Sequence, residues 1–465
     1  MKKLTSKQKK QIFLLITTFE AGALLIYAVS KMMRPNGSLP LNGLIRSETL
    51  YIIAIFLAMI PVLLITLNLV VLFSKKEKQT MTITQPLPAP VSTDSDKQTE
   101  EEEETVSERF CMLCEIDRNK NKYSYRTYEK GITLQTLCED FRNYAASRLG
   151  LYYDIEDIRR FIAGLAVSRL VILQGMSGTG KTSLAHAFGS FIDNTATVIP
   201  VQPMWKERTD LIGYYNEFTK RFNETLLLEK MYEANYSKDI YVTVLDEMNI
   251  ARVEYYFAEF LSLLELPNPE ERYIDVVSDR WETDPVQFKD GRVKLPENMW
   301  FIGTANNDDS TFAISDKVYD RAMILNLDMK SERFAAPMTP KRHISAAQFE
   351  HLVKKAGKEF DLSIRNRRRL DALDQYLIEH FHITFGNRIM KQIRTYVPVY
   401  VGCGGDELVA LDDILSKKVM RKLETQNPIY LRNAAEGLLS YLDELFGVDG
   451  MPLCKAYIHR LERNA

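Results

Sequence analysis

The run GMSGTGKTS, from Gly175 to Ser183, combines three glycines, a lysine and hydroxyl side chains at the GxxxxGK[ST] spacing, directly after the apolar stretch Leu170 to Leu173. Gly175, Gly178 and Gly180 open turn conformations closed to other residues, so the backbone N–H groups of the loop, from Met176 and Ser177 through Thr179 to Ser183, can face one concavity. A helix starting there adds positive potential at its N-terminus. Lys181 can then reach β- and γ-phosphates, and the Thr182 hydroxyl is placed for Mg²⁺. Residues of these types in this order bind a nucleoside triphosphate.

Farther along, YVTVLDEMN ends a β-rich apolar run, Tyr241 to Leu245, in Asp246 and Glu247. This is a Walker B pattern. Asp246 at the strand end can hold the Mg²⁺ water shell, and Glu247 can polarise the water that attacks the γ-phosphate. An acidic pair after a strand is often plain surface charge, but its order and distance behind the glycine loop favour catalysis, and so hydrolysis as well as binding.

To bring these groups together the chain needs strands ending at one edge, with a loop and a helix following the first. A third short strand, Trp300 to Gly303, leads into TANNDDST, and SDKVYDRAMILNL, Ser315 to Leu327, leads into a fourth. From about Ser345 onward Leu370, Leu373, Tyr376 and Leu377 fall at helical spacing. The predicted organisation is an α/β nucleotide-binding core over residues 109–330 and an α-helical domain over 331–465. With 465 residues and 46% hydrophobic content there is ample material for such cores. A net charge of −2 gives no basic bias, so nucleic acid would have to be met by a local patch. The five cysteines do not form a disulfide framework; Cys111 and Cys114 make a lone CxxC with no second pair, so they read as ordinary thiols and not as a zinc site.

Two segments ahead of the core are apolar enough to span a bilayer, Ile12 to Val29 and Leu50 to Phe73. A cleaved signal peptide is the alternative for the first, but no small-residue cleavage site clearly follows it. Lysines before the first segment (Lys2, Lys3, Lys7, Lys9, Lys10) and after the second (Lys75, Lys76, Lys78) put both flanks in the cytoplasm. The expectation is a two-pass membrane hairpin over residues 1–74 with the N-terminus and the core cytoplasmic. Glu20 lies mid-span, where a carboxylate has either a function or a partner such as Asn68 or another subunit. Pro61 should kink the second helix. Residues 75–108, rich in Pro, Thr, Ser and Gln with the acidic run Glu100 to Glu104, read as a disordered tether reaching about 30 Å.

The blocks RRFIAGLAVSRLVILQGMSGTGKTSLA, VQPMWKERTDLIGYYN, LDEMNIARVEYYFAEFLSLLE, GTANNDDSTFAISDKVYDRA and LDDILSKKVMRKL resemble the McrB-like, dynein-related branch of AAA+ ATPases, from Ile132 to the C-terminus. The resemblance implies an α/β AAA+ P-loop core, a parallel sheet flanked by helices, followed by an α-helical lid. It also implies a ring of identical subunits with nucleotide between them. Asn306 stands where such proteins carry a polar residue that orients the attacking water; an Asn-rich turn is the alternative. Arg321 suits an arginine finger donated to a neighbour's nucleotide, or a simple pair with Asp320. Arg388 in FGNRIMKQI is the candidate lid arginine for the γ-phosphate, or else a surface ion pair. Trp205, Tyr214 and Tyr215 lie where rings expose channel loops, with buried packing the alternative. Arg365 to Arg369 can meet phosphates or anionic lipid, or form a solvated helix face. The fuel is ATP by the wider habit of the family, with GTP possible, together with Mg²⁺. A DNA-reading domain is replaced here by the membrane hairpin, so DNA restriction does not transfer and nucleic acid has no further support. The expectation is a membrane-anchored ring motor that remodels a protein partner. A nucleotide-gated membrane scaffold with slow hydrolysis and a GTP-driven nucleic-acid defence motor are the alternatives.

Overall fold

Strands buried on both faces lose the alternation of polar and apolar residues and read as unbroken apolar runs. That is the character of β1 (Leu170–Gly175), β5 (Tyr241–Asp246) and β8 (Met299–Asn306), which form the centre of a five-stranded parallel sheet with β2 (Thr197–Pro200) and β9 (Met323–Asn326) at its edges, in the order β2-β5-β8-β1-β9. The computed structural model describes residues 108–464 except 125, 307–310 and 328–330. The chain divides into two compact units, Met1–Glu102 and Glu103–Ala465, and every described residue belongs to the second. The expected spans at 12–29 and 50–73, with Glu20 and Pro61, and all but the last residue of the expected tether over 75–108 lie outside the described residues; within these no helix is long and apolar enough to cross a membrane.

Register sets which groups share an edge. Gly175 of β1 lies opposite Asn306 of β8, Leu245 of β5 opposite Gly303, and Gln174 opposite Asn326 of β9. Side chains alternate between the faces. Val171, Leu173, Val242, Val244 and Ile302 enter one apolar cluster, whereas Leu170, Ile172, Leu245 and Phe301 enter another. The first face is covered by α2 (Leu134–Leu149), α3 (Ile155–Val167) and α4 (Lys181–Phe191), and the second by α1 (Cys111–Arg118) and α5 (Leu226–Ala234) among others. Thr133 starts α2 in a reciprocal capping box with Thr136, and Asp154 caps α3 through the Glu156 N–H.

After β9 the chain is helical: α9 (Ala346–Glu359), α10 (Ile364–Phe381), α11 (Gly386–Gly402), α12 (Glu407–Lys418), α13 (Pro428–Phe446) and α14 (Pro452–Asn464). Their buried faces join the α2–α3–α4 cluster, so the expected core and lid share one apolar interior. Charge ties them too. The buried Asp413 of α12 takes Arg160 of α3 at 3.0 Å, Lys417 at 2.6 Å and the Tyr396 hydroxyl at 2.6 Å. A buried carboxylate needs such partners, because leaving even one charge unpaired away from water is costly.

Two hairpins branch from the core. β3 (Gly213–Asn216) pairs with β4 (Arg221–Glu224), and β6 (Tyr273–Asp275) with β7 (Arg292–Lys294). The first described residues pin both. The Arg109 guanidinium holds Asp284 at 2.7 Å and lies over Trp281, 4.4 Å from the ring centre, while its carbonyl accepts from Phe222 N–H at 2.8 Å. Glu224 accepts from the N–H groups of Cys111, Met112 and Leu113 and so caps α1.

Gly303 in β8 has no room for a methyl: a Cβ there would fall 1.9 Å from Met248 Sδ, and Met248 is itself buried immediately after Glu247. Gly303→Ala is therefore expected to destabilise the unit by about 1–3 kcal/mol through overpacking, read as a fall in thermal midpoint of the full chain.

Candidate functional site

The glycine loop leaves β1 at the C-terminal edge of the sheet and enters α4 at Lys181, the crevice where open parallel sheets bind ligands. Gly178 and Gly180 take φ of +78° and +92°, left-handed values that side chains resist. The Gly180 carbonyl accepts from the Tyr153 hydroxyl at 3.1 Å, which ties the loop to the segment before α3. Lys181 donates to the carbonyls of Gly175, at 3.0 Å, and Met176, at 2.7 Å, so its ammonium lies across the mouth of the loop. Met176 is mostly exposed, and Ser177, Thr179 and Ser183 complete the turn and the first helical residues.

Asp246 organises what stands beside the loop. One of its oxygens, Oδ1, accepts from Thr182 Oγ1 at 2.7 Å and from Thr304 Oγ1 at 2.8 Å. Thr304 in turn accepts from the Glu247 N–H at 2.8 Å. Glu247 itself sits at φ +52°, a left-handed conformation uncommon for a non-glycine residue and frequent at functional sites. That turn leaves its side chain exposed. Asn306, on the same face of β8 as Thr304, ends the strand, and its carbonyl accepts from the buried Asn249 amide at 3.0 Å. Asn249 also donates to Thr311 Oγ1 at 2.9 Å. Sequence reasoning named Asp246, Glu247, Thr182 and Asn306 but passed over Thr304 and Asn249, although both lie inside the quoted blocks GTAN and LDEMN. Their roles come from parallel register, which brings three strand ends together.

A hydroxyl and a carboxylate held 2.7 Å apart beside an N–H-lined loop are hard oxygen donors that fit Mg²⁺, an ion usually held by one or two protein oxygens plus substrate phosphates. No group of three or more His, Cys, Asp and Glu able to hold a metal exists among the described residues. All five cysteines are free, and burial with neighbouring carboxylates pushes the Cys114 thiol up to about 12.

Arg321 lies elsewhere. Its carbonyl accepts from Ser168 Oγ at 2.8 Å, and Ser168 precedes β1, so Arg321 stands at the N-terminal edge of the sheet. The strand between it and the glycine loop rises about 20 Å at roughly 3.3 Å per residue, beyond the reach of its side chain. The guanidinium pairs with Glu265 at 2.5 Å and donates to the Lys317 carbonyl at 2.7 Å; the partner is not Asp320. Arg388, expected over the γ-phosphate, instead takes the other oxygen of Glu265, also at 2.5 Å. Glu265, which sequence reasoning did not single out, thus gathers the two arginines at the edge opposite the loop.

Lid cations that do approach the loop's edge are different ones. A cleft of about 600 Å³ opens between Gln174, Asn306 and Asn326, at the ends of β1, β8 and β9, and Lys417, Arg421 and Arg460 of the lid. Among the aromatic candidates, Trp205 packs edge-on against buried Tyr256 with centroids 5.6 Å apart, and Tyr215 packs against Trp281 at 6.2 Å. Tyr214 is exposed, and Phe218 at the tip of the same hairpin is 99% exposed. Arg365, Arg367 and Arg368 form an exposed face of α10, with Arg367 paired to Asp361 at 3.1 Å.

The fold and the loop together define a P-loop α/β domain. Residues 170–322, from the first residue of β1 to the one after Arg321, match the family described as AAA domain (dynein-related subfamily). No curated protein matches the chain. Among solved structures, a full-length MCM homolog from Methanopyrus kandleri is 11% identical over 61% of this chain, with a TM-score of 0.35. The alignment spans 59% of that protein's length.

Thr304→Val keeps the shape of the side chain but removes the hydroxyl between Asp246 and Glu247. It is expected to lower turnover of Mg²⁺–triphosphate about tenfold or more with little change in KM, while Thr304→Ser retains most of the rate. Phosphate release from the full chain checks this, and a wild-type rate in the valine variant would remove Thr304 from the site.

Proposed function

We propose that the chain is an AAA+ nucleoside triphosphatase that hydrolyses ATP, with GTP a possible second fuel, at interfaces between copies of itself, and uses the cycle to remodel a bound protein partner. The observation that carries this reading is the division of the machinery between the two edges of the sheet. Lys181, Thr182, Asp246 and Glu247 stand at one edge, and Arg321 stands at the other, where only a neighbouring copy's nucleotide is within its reach. Mg²⁺, when bound with the triphosphate, withdraws charge from the phosphate oxygens. Thr182 and Asp246 are the residues that would hold it. Glu247 takes hydrogen bonds from the attacking water and accepts its proton, while the Asn306 amide orients that water. Lys181 and the loop N–H groups bind the β- and γ-phosphates, and a neighbour's Arg321 meets the charge that develops as the bond breaks. Arg388, held beside Arg321 by Glu265, belongs to the same donated face in this reading.

The apolar segments at 12–29 and 50–73 support a two-pass anchor that keeps the AAA domain on the cytoplasmic side, and Phe218 with Tyr214 gives the β3–β4 hairpin an aromatic tip suited to gripping an extended partner segment. Glu247→Gln in the full chain is expected to leave ATP affinity within about twofold and to lower kcat by about 10²-fold or more, as loss of a general base does. Arg321→Ala is expected to cost about 10³-fold with binding retained, and the wild-type rate per subunit should rise with protein concentration. Wild-type hydrolysis in both variants would overturn the proposal; parallel assays with GTP name the fuel.

A further inference from the structure

The segment that carries Arg321 is held by the lid of its own chain. Lys418, the last residue of α12 and 4% exposed, donates to the carbonyls of Tyr319, at 2.6 Å, and Ala322. These two carbonyls bracket Arg321 at the end of a single-turn helix (Asp316–Tyr319), where helical carbonyls lack partners of their own. Gln392 of α11 donates to the Asp320 carbonyl at 3.2 Å. Arg421 pairs with Asp316 at 2.7 Å and lies over the Tyr319 ring, 3.5 Å from its centre. Three lid elements therefore hold the residues on either side of Arg321.

Water would satisfy the end of a surface helix at no cost, whereas an ammonium removed from water is expensive. Burial pushes Lys418 down to about 7, with Arg421, Arg388 and Lys417 adding to the effect and Asp320 opposing it. The lid also faces the other edge of the sheet: Lys417 and Arg421 line the cleft beside Asn306. The end of α12 and the turn after it thus border the cleft beside Asn306 on one side and the segment that carries Arg321 on the other. Building on the reading of Arg321 given above, we infer that Lys418 is a positioning residue through which the lid of one subunit sets the arginine donated to its neighbour.

Mixed assemblies of the full chain test this. Donor subunits carry Lys181→Ala, which removes their own grip on triphosphate and leaves Arg321 intact; acceptor subunits carry Arg321→Ala. Mixing them should produce hydrolysis that neither shows alone. Lys418→Met in the donor is expected to lower the restored rate about tenfold or more, since a displacement of order 1 Å costs up to about 10²-fold, whereas the same change in the acceptor should cost less than twofold. A purely structural role for Lys418 would weaken both arms alike. Gln392→Leu, at a less buried contact, should show the same asymmetry in smaller measure, and it decides the matter if Lys418→Met fails to fold. Equal losses in donor and acceptor, or none in the donor, overturn the inference. A mixture that stays inactive overturns the trans role of Arg321 itself, and the inference with it.

Discussion

Everything at the phosphate edge hangs on one carboxylate. Asp246 is the point where the first turn of α4, the end of β5 and the end of β8 meet, through two threonine hydroxyls that share a single oxygen. Charge-assisted hydrogen bonds of 2.7–2.8 Å are short and directional, so three elements that arrive from distant parts of the chain are fixed relative to one another at the place where precision matters. The sheet beneath is ordinary parallel architecture, and its register places Gly175, Leu245 and Asn306 within one strand end of each other. The α/β core is in that sense a device for delivering two hydroxyls to one aspartate.

Much of this edge is legible in the linear chain because its information is local. The glycines, Lys181 and Thr182 are contiguous, and Asp246 and Glu247 end an apolar run that can only be a buried strand. Asn306 follows from its position after another such run. Thr304 and Asn249 are harder to read: a threonine inside one strand and an asparagine after another have many bland explanations, and their contacts exist only once the fold brings them to Asp246 and Thr311. The opposite edge is harder still. Glu265 meets Arg321 from 56 residues away, and Arg388 from the lid, so no spacing rule links them. The resemblance that offers Arg388 as a lid arginine says nothing about which end of the sheet its helix faces. The same limit applies to Trp205 and Tyr214, neighbours in one sequence block, of which one is packed on Tyr256 and the other is exposed.

The lid is not an independent cap. Its apolar faces continue the interior formed by α2, α3 and α4, and Asp413 binds Arg160 across the junction, so a change in lid angle must repack a common core and rearrange a fully paired buried charge. Such junctions favour a small number of discrete arrangements over continuous bending, because dense packing and buried ion pairs tolerate little intermediate geometry. In the proposed cycle this gives the nucleotide a bistable element to bias.

The anchoring of Arg109 has a mechanical consequence. Its side chain grips the insertion between β6 and β7, its carbonyl holds β4, and the helix that follows is capped by Glu224 of the same strand. Tension applied to the chain ahead of this residue therefore has no slack to take up inside the domain; it falls at once on two hairpins, one of which ends in Phe218. The attachment point works as a yoke, and the domain's two projecting arms share any load that arrives through its N-terminus.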